Sequence, residues 1–285
     1  MSIAVEGTGP SALARAIWSQ VHPVFMLPPL AATWFGAVLG GNPGVEIAGL
    51  HSVAIFLAVY TAHVKDGYID YYVRGEDATH PLTAGGCRAI LAVTAVGFFG
   101  CILALWAVAG PAAALITLPT WFLGYLHAPQ LDMNPVTATA GYPVGIGLSL
   151  LGGYVSQYGT VTGPVTAYAV VLVLLLVGIK IIDDEQDYRF DRAIEKRTVA
   201  VCLGCRPARR VAFGSMGIGL AGVLGAVVGG LFPIGSLLAP LVFIGIMVIA
   251  SRAPPTIATM LLIRGAYVFL AILVAMAWFA PFRWL

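Results

Sequence analysis

Two short stretches hold ten of the chain's thirteen Asp and Glu residues. The first contains Asp66, Asp70, Glu76 and Asp77, and the second Asp183, Asp184, Glu185, Asp187, Asp191 and Glu195. Helical positions four apart share a face. Asp66 and Asp70 therefore form a short carboxylate stripe, and Asp183, Asp187 and Asp191 a longer one. Like charges at this spacing repel, so a compensating cation is expected. Hard oxygen ligands suit magnesium, which keeps several waters and bridges one or two carboxylates to substrate phosphates. Flanking Lys65, Arg74, Lys180, Arg192, Lys196 and Arg197 can complete a cage for a diphosphate. A solvated helix end whose acids pair with nearby Lys and Arg would explain one such stripe. Two of them, in a chain otherwise nearly free of acids, favour ligation.

The elements that position these acids belong in lipid. Hydrophobic residues make up 59% of the chain and charged residues 10%, against roughly 25% charged in a soluble domain. Net charge is +2, and nothing in its placement points to nucleic acid. A spanning helix needs about 20 mostly apolar residues. Apolar runs over 22–40, 45–64, 88–109, 111–127, 138–158, 164–182, 211–231, 234–250 and 256–279 predict an all-α, polytopic membrane bundle of about nine transmembrane helices. Gly110-Pro111, Gly163-Pro164 and Pro233 mark short turns between antiparallel neighbours. The whole chain, 1–285, reads as one transmembrane domain. Residues 1–20 form a short mobile cytoplasmic segment with no cleavable signal pattern.

Basic residues set the expected orientation in the cell membrane. With the N-terminus cytoplasmic, thirteen of the fifteen Lys and Arg fall on that side, as do both acidic stretches. Arg264 lies within the last span, and Arg283 lies outside with the C-terminus. Asp66-x-x-x-Asp70 and Asp187-x-x-x-Asp191 are offset by 121 residues, and an internal repeat would account for that echo. Gly141, Gly145 and Gly147, like Gly222, Gly225 and Gly229, have the spacing of close helix packing in lipid. Cys202 and Cys205 form a lone C-x-x-C without a second ligand pair, so neither zinc nor a disulfide framework is expected.

Ala62 through Asp70, followed by His80-Pro81-Leu82-Thr83-Ala84-Gly85, is similar to the first motif of the UbiA superfamily of intramembrane prenyltransferases. Asp183 through Arg192, continuing to Lys196-Arg197-Thr198 and Leu203-Gly204, resembles the second motif, which is the more specific of the two. The resemblance covers residues 20 to 280. It implies magnesium and diphosphate binding, with metal roles at Asp66, Asp70, Asp183, Asp184, Asp187 and Asp191. Of these, Asp66, Asp70, Asp187 and Asp191 are the catalytic candidates. The first motif is degraded: Ala62 stands where the family has Asn, His63 where it usually has an acid, and His80 where it has Arg. The connection from Tyr125 to Asn134 also lacks the basic pair that many members carry after the fourth helix.

The resemblance implies transfer of an isoprenoid group from a prenyl diphosphate to a lipophilic acceptor. Ionising an allylic diphosphate creates a carbocation that water would quench, so aromatic walls are needed. Tyr68, Tyr71, Tyr72, Trp121, Tyr125, Tyr142 and Tyr154 are candidates. His63, Tyr68, Tyr125, His127 and Tyr142 form the expected prenyl and acceptor pocket, with His127 and Asp132 as candidate bases. Two competitors remain open. One is a terpene cyclase of the same superfamily, which ionises the diphosphate without an acceptor. The other is an ion or organic-anion transporter, although transporter sites typically lie at broken helices near the bilayer midplane.

Overall fold

The computed structural model describes residues 3–41 and 44–279. The described residues are 82% helical and contain no strand. Helix α1 (Pro10–Trp18) meets α2 (Pro23–Leu39) at a 72° bend. Helix α3 (Val45–Ile69) runs on through a π-helical turn over Asp70–Arg74. It stops at Gly75, whose φ of 67° is readily available only to glycine. Helix α4 (Ala84–Ala109) starts where the Thr83 hydroxyl accepts a hydrogen bond from the Gly86 amide at 2.9 Å. Then come α5 (Pro111–Thr117), α6 (Pro119–Tyr125), a π-helical turn at His127–Leu131, and α7 (Pro135–Tyr158), capped by Asn134. Helix α8 (Gly163–Asp184) is followed by the short α9 (Tyr188–Ala193) and α10 (Val199–Leu203). Three helices complete the bundle: α11 (Cys205–Val228), α12 (Leu238–Arg252) and α13 (Pro255–Phe279).

Among the described residues, six helices are long and apolar enough to cross a bilayer, or seven when the bent pair α1–α2 counts as one span. That is fewer than the nine expected. The run over 111–127 is split by Pro119, which lacks an amide donor, into helices of seven residues each. Helix α7 is 24 residues long but rich in Gly, Ser, Thr and Tyr. It packs against α2, α3, α5, α6 and α8, so protein rather than lipid covers much of its surface. On α4 the opposite holds: Val93, Val96 and Leu103 are more than 70% exposed, a face suited to hydrocarbon and costly in water.

Two interfaces depend on glycine. A Cβ at Gly36 of α2 would collide with the Leu150 carbonyl of α7, and one at Gly178 of α8 would lie 2.5 Å from the Ala212 carbonyl of α11. Such close approach is how helices associate in lipid. Gly147 also packs tightly, against Val173, whereas Gly141 faces open space. The largest core cluster runs through α2, α7, α8 and α11 to α13.

The second acidic stretch does not form one continuous stripe. Helix α8 ends at Asp184, Glu185 is its cap, and Asp187 sits at the start of the separate α9. A helix C-terminus carries partial negative charge, and consecutive acids there oppose further helix growth. The N-terminal segment, expected to be mobile, is held in place. The Val5 amide donates to the Pro81 carbonyl at 3.0 Å, and the Thr83 amide to the Ile3 carbonyl at 2.9 Å. Arg283 and the C-terminus lie outside the described residues.

Candidate active site

Antiparallel connections bring the N-termini of α2 and α7 and the C-termini of α3, α6 and α8 to one end of the bundle. A cavity of about 620 Å³ lies between them. Its charged rim joins both acidic stretches. Asp66 and Asp70 come from α3 and its π turn, Asp77 from the loop beyond, Lys180 and Asp183 from α8, and Lys196 from the α9–α10 loop. Deeper walls are apolar, formed by Phe25, Pro29, Ile55, Val59, Leu123 and Ile146.

Two further acids of the second stretch, Asp184 and Asp191, hold the rim's cations. Lys180 Nζ donates to Asp184 Oδ1 at 2.5 Å and to Asp183 Oδ2 at 3.3 Å. Lys196 Nζ lies 3.7 Å from buried Asp191. Burial pushes the Asp191 carboxyl above the usual carboxylate range, partly offset by the Lys196 ammonium. Gln186 donates to Asp183 Oδ1 at 3.0 Å and to Thr259 Oγ1 of α13 at 3.1 Å, fixing the rim carboxylate to a neighbouring helix. Asp187 is exposed and lines no part of the cavity.

Other expected cations point elsewhere. Arg74 donates to Asp132 Oδ2 at 2.6 Å and to Asp70 Oδ1 at 3.3 Å. It thereby locks the end of α3 to the connection before α7, and Asp132 faces a guanidinium rather than the cavity. Lys65 lies 4.5 Å over the Tyr125 ring, Arg192 donates to the Tyr188 hydroxyl at 3.3 Å, and Arg197 is exposed.

Of the expected aromatics, Tyr142 lines the cavity; its hydroxyl donates to the Phe25 carbonyl at 2.8 Å. Tyr68 accepts from Arg88, and Tyr72 donates to the Leu82 carbonyl. Tyr71 stacks on His80, Trp121 stacks on Tyr125, and Tyr154 accepts from Thr162 near the far end of α7. None of these six lines the cavity.

His63 and His127 were expected in the pocket, and His22 and His80 join them there. His22, His63, His80 and His127, four of the chain's five, all line the cavity. The His22 and His63 rings lie 4.8 Å apart, and Nε2 of His63 and of His80 is buried without a hydrogen-bond partner. Ser19 and Gln20, just beyond α1, also line the cavity. The available signal was positional: each of these histidines sits near a predicted span end, while His51 lies within a span.

The donor set fits a hard divalent cation shared with a substrate. Among the described residues, no group of three or more His, Cys, Asp or Glu is placed to hold a metal by itself. Magnesium needs no such cage, since one or two carboxylates, waters and phosphate oxygens suffice. Asp66, Asp70 and Asp183 supply carboxylates to one cavity, and Oδ2 of neighbouring Asp184 is buried without a partner.

The model of the UbiA prenyltransferase family matches residues 25–256. The chain belongs to this family. Solved structures share its fold at low sequence identity. A digeranylgeranylglyceryl phosphate synthase structure superposes with a TM-score of 0.74 at 13% identity, covering 94% of this chain and 98% of that one. A UbiA homologue from Aeropyrum pernix K1 gives 0.73 at 17% identity, covering 90% and 98%. A UbiA homologue from Archaeoglobus fulgidus, bound to GPP and Mg2+, gives 0.66 at 14% identity, covering 93% and 99%. No curated protein sequence matches the chain significantly. In the UbiA frame the cavity lies where both motif stretches end, and its rim carries residues from each.

Proposed function

We propose that this chain is a magnesium-dependent intramembrane prenyltransferase that moves an isoprenoid group from a prenyl diphosphate to a lipophilic acceptor. The carrying observation is one cavity with carboxylates from both motif stretches and two lysines at its rim, over an apolar interior. Family membership and the GPP- and Mg2+-bound homologue from Archaeoglobus fulgidus support the same reading.

In this proposal Asp66 and Asp70 on one wall and Asp183 on the other would hold the metal, with Asp184 and Asp191 behind the rim and Asp187 outside the cavity. Bound there, magnesium neutralises the diphosphate and stabilises charge on the leaving group. Lys180 and Lys196 bind diphosphate oxygens directly, oriented by Asp184 and Asp191. Their preorganised charge favours the state in which the carbon–oxygen bond breaks. Phe25 and Tyr142 present ring faces to the cationic carbon, and the apolar walls exclude water. The acceptor forms the new bond and loses a proton, which His63 or His127 takes up on a ring nitrogen. Lys65, Arg74, Arg192 and Arg197, like Tyr68 and Tyr125, act outside this cavity. The proposed setting is a single domain in the cell membrane, with its N-terminus and site cytoplasmic and its C-terminus outside.

One observation favours the cyclase reading as a second choice. The connection between α6 and α7 brings no cation of its own, and its Asp132 is engaged by Arg74, so an anionic acceptor finds no partner there. The test is incubation of purified protein with labelled geranyl and farnesyl diphosphates and magnesium, with and without a membrane lipid extract. An extract-dependent prenylated lipid supports the transferase. A hydrocarbon or alcohol formed without extract supports the cyclase. Transport into proteoliposomes without diphosphate turnover would overturn both.

A further inference from the structure

We infer that the cavity measures the prenyl tail and that its floor at Ile55 and Ser149 sets a preference for about three isoprene units, a farnesyl chain. This rests on the proposed reading of the rim as the diphosphate site.

Four elements end the cavity at one level. On α3 the lining face runs without interruption from Asp70 back to Ile55, and no residue before Ile55 contributes. On α7 it runs from Gly141 to Ser149, on α6 it reaches Thr120, and on α2 Pro29. Beneath this level the bundle is solid. His51, one turn below Ile55, and Thr33 and Thr117 all have no exposed surface. A Cβ at Gly152, under Ser149, would collide with the His51 ring.

Helical rise converts this into a length. Asp66 to Ile55 is eleven residues of α3, about 16 Å at 1.5 Å per residue. Three extended main-chain bonds span about 3.5 Å, so the four chain bonds of an isoprene unit span about 4.7 Å. About three units fill the depth, and a fourth meets the floor.

One way past the floor is sideways, into the groove between α2, α7, α8 and α13. That groove holds about 90 Å³, against about 620 Å³ for the cavity. It is also tied across. Tyr142 of α7 donates to the Phe25 carbonyl at 2.8 Å, and Tyr267 of α13 donates to the Val24 carbonyl at 3.1 Å.

The test is calorimetric titration of the detergent-purified protein, in magnesium, with geranyl, farnesyl and geranylgeranyl thiolodiphosphates, which bind without turnover. Wild type is expected to bind the farnesyl analogue about tenfold more tightly than the geranylgeranyl one, a typical discrimination by a pocket of fixed depth. Ile55→Ala moves the optimum to geranylgeranyl, and Ser149→Leu moves it to geranyl. Opposite shifts cannot come from impaired folding. Affinity that holds level or rises from farnesyl to geranylgeranyl in wild type overturns the inference, as do variants that leave the optimum unmoved or a protein that binds no analogue. A farnesyl optimum in a protein that turns over no diphosphate would sink the proposed function and leave the floor intact.

Discussion

Lys180 carries two duties, and they separate by mutation. Its ammonium pairs with Asp184, which is 4% exposed, and also faces the cavity. Lys180→Met leaves that carboxylate buried without its cation, at a cost of about 3 kcal/mol, since Lys180 itself remains partly exposed. Denaturant unfolding of the solubilised protein measures the loss. Lys180→Met combined with Asp184→Leu should recover stability without recovering turnover, because the rim cation is still missing. Asp66→Ala should lower turnover at least about a hundredfold, as loss of an electrostatic stabiliser does, while the protein remains membrane-inserted. Asp66 and Asp70 were legible in the sequence because four-residue spacing at a helix end fixes a shared face, whereas the stripe assumed from Asp183 to Asp191 breaks after Asp184. The pairing of Arg74 with Asp132 was not legible. A salt bridge such as Arg74–Asp132 joins residues 58 apart, and only the fold brings them together. Which aromatics turn inward depends equally on packing, so Tyr142 could not be told from Tyr68.

Arg209 ties three helices together where the site is built. It donates to the Ala250 and Ala253 carbonyls at 2.8 and 2.7 Å, ending α12, and reaches Glu185 at 3.4 Å at the end of α8. Burial raises the Glu185 carboxyl above the usual range, opposed by the Arg209 guanidinium. With a folded pKa above the unfolded one, its contribution to stability is complete below the ordinary glutamate value of about 4.3. That contribution fades as pH rises through the folded value. Between those limits, the melting temperature of wild type should fall with rising pH more steeply than that of Glu185→Gln. Gly178→Leu should separate α8 from α11 and destabilise by roughly 3 kcal/mol or more, as overpacking does, with Gly217→Ala, where a Cβ meets open space, as a neutral control. The apolar runs predicted most helix positions well, since lipid demands them. Pro119 then broke the run over 111–127, and the acids at 183–185 ended the helix that the stripe from Asp183 to Asp191 would have required. Helix α7 was found by length, although its polar content suits a protein-lined position more than a lipid-facing one.

Across the whole molecule, charge and hydropathy divide the chain into a lipid-facing body and one charged end, a division already visible in the clustering of Lys, Arg, Asp and Glu. The proposed orientation rests on the same clustering and can be tested with Cys202, which is exposed near the start of α11 on the charged side. In a Cys205→Ser background, an impermeant thiol reagent should label Cys202 in inverted membrane vesicles and leave it untouched in right-side-out ones. The reverse pattern would place the site outside. The account as a whole turns on two acidic walls sharing one diphosphate through a divalent cation. The most direct measurement is binding of a labelled prenyl thiolodiphosphate to wild type, Asp66→Ala and Asp183→Ala, each with magnesium and with chelator. The prediction is tight binding only by wild type with magnesium, and loss of at least about tenfold in each variant, as expected when one metal-bridging ligand is removed. Magnesium-independent binding, or full affinity in either variant, would contradict it.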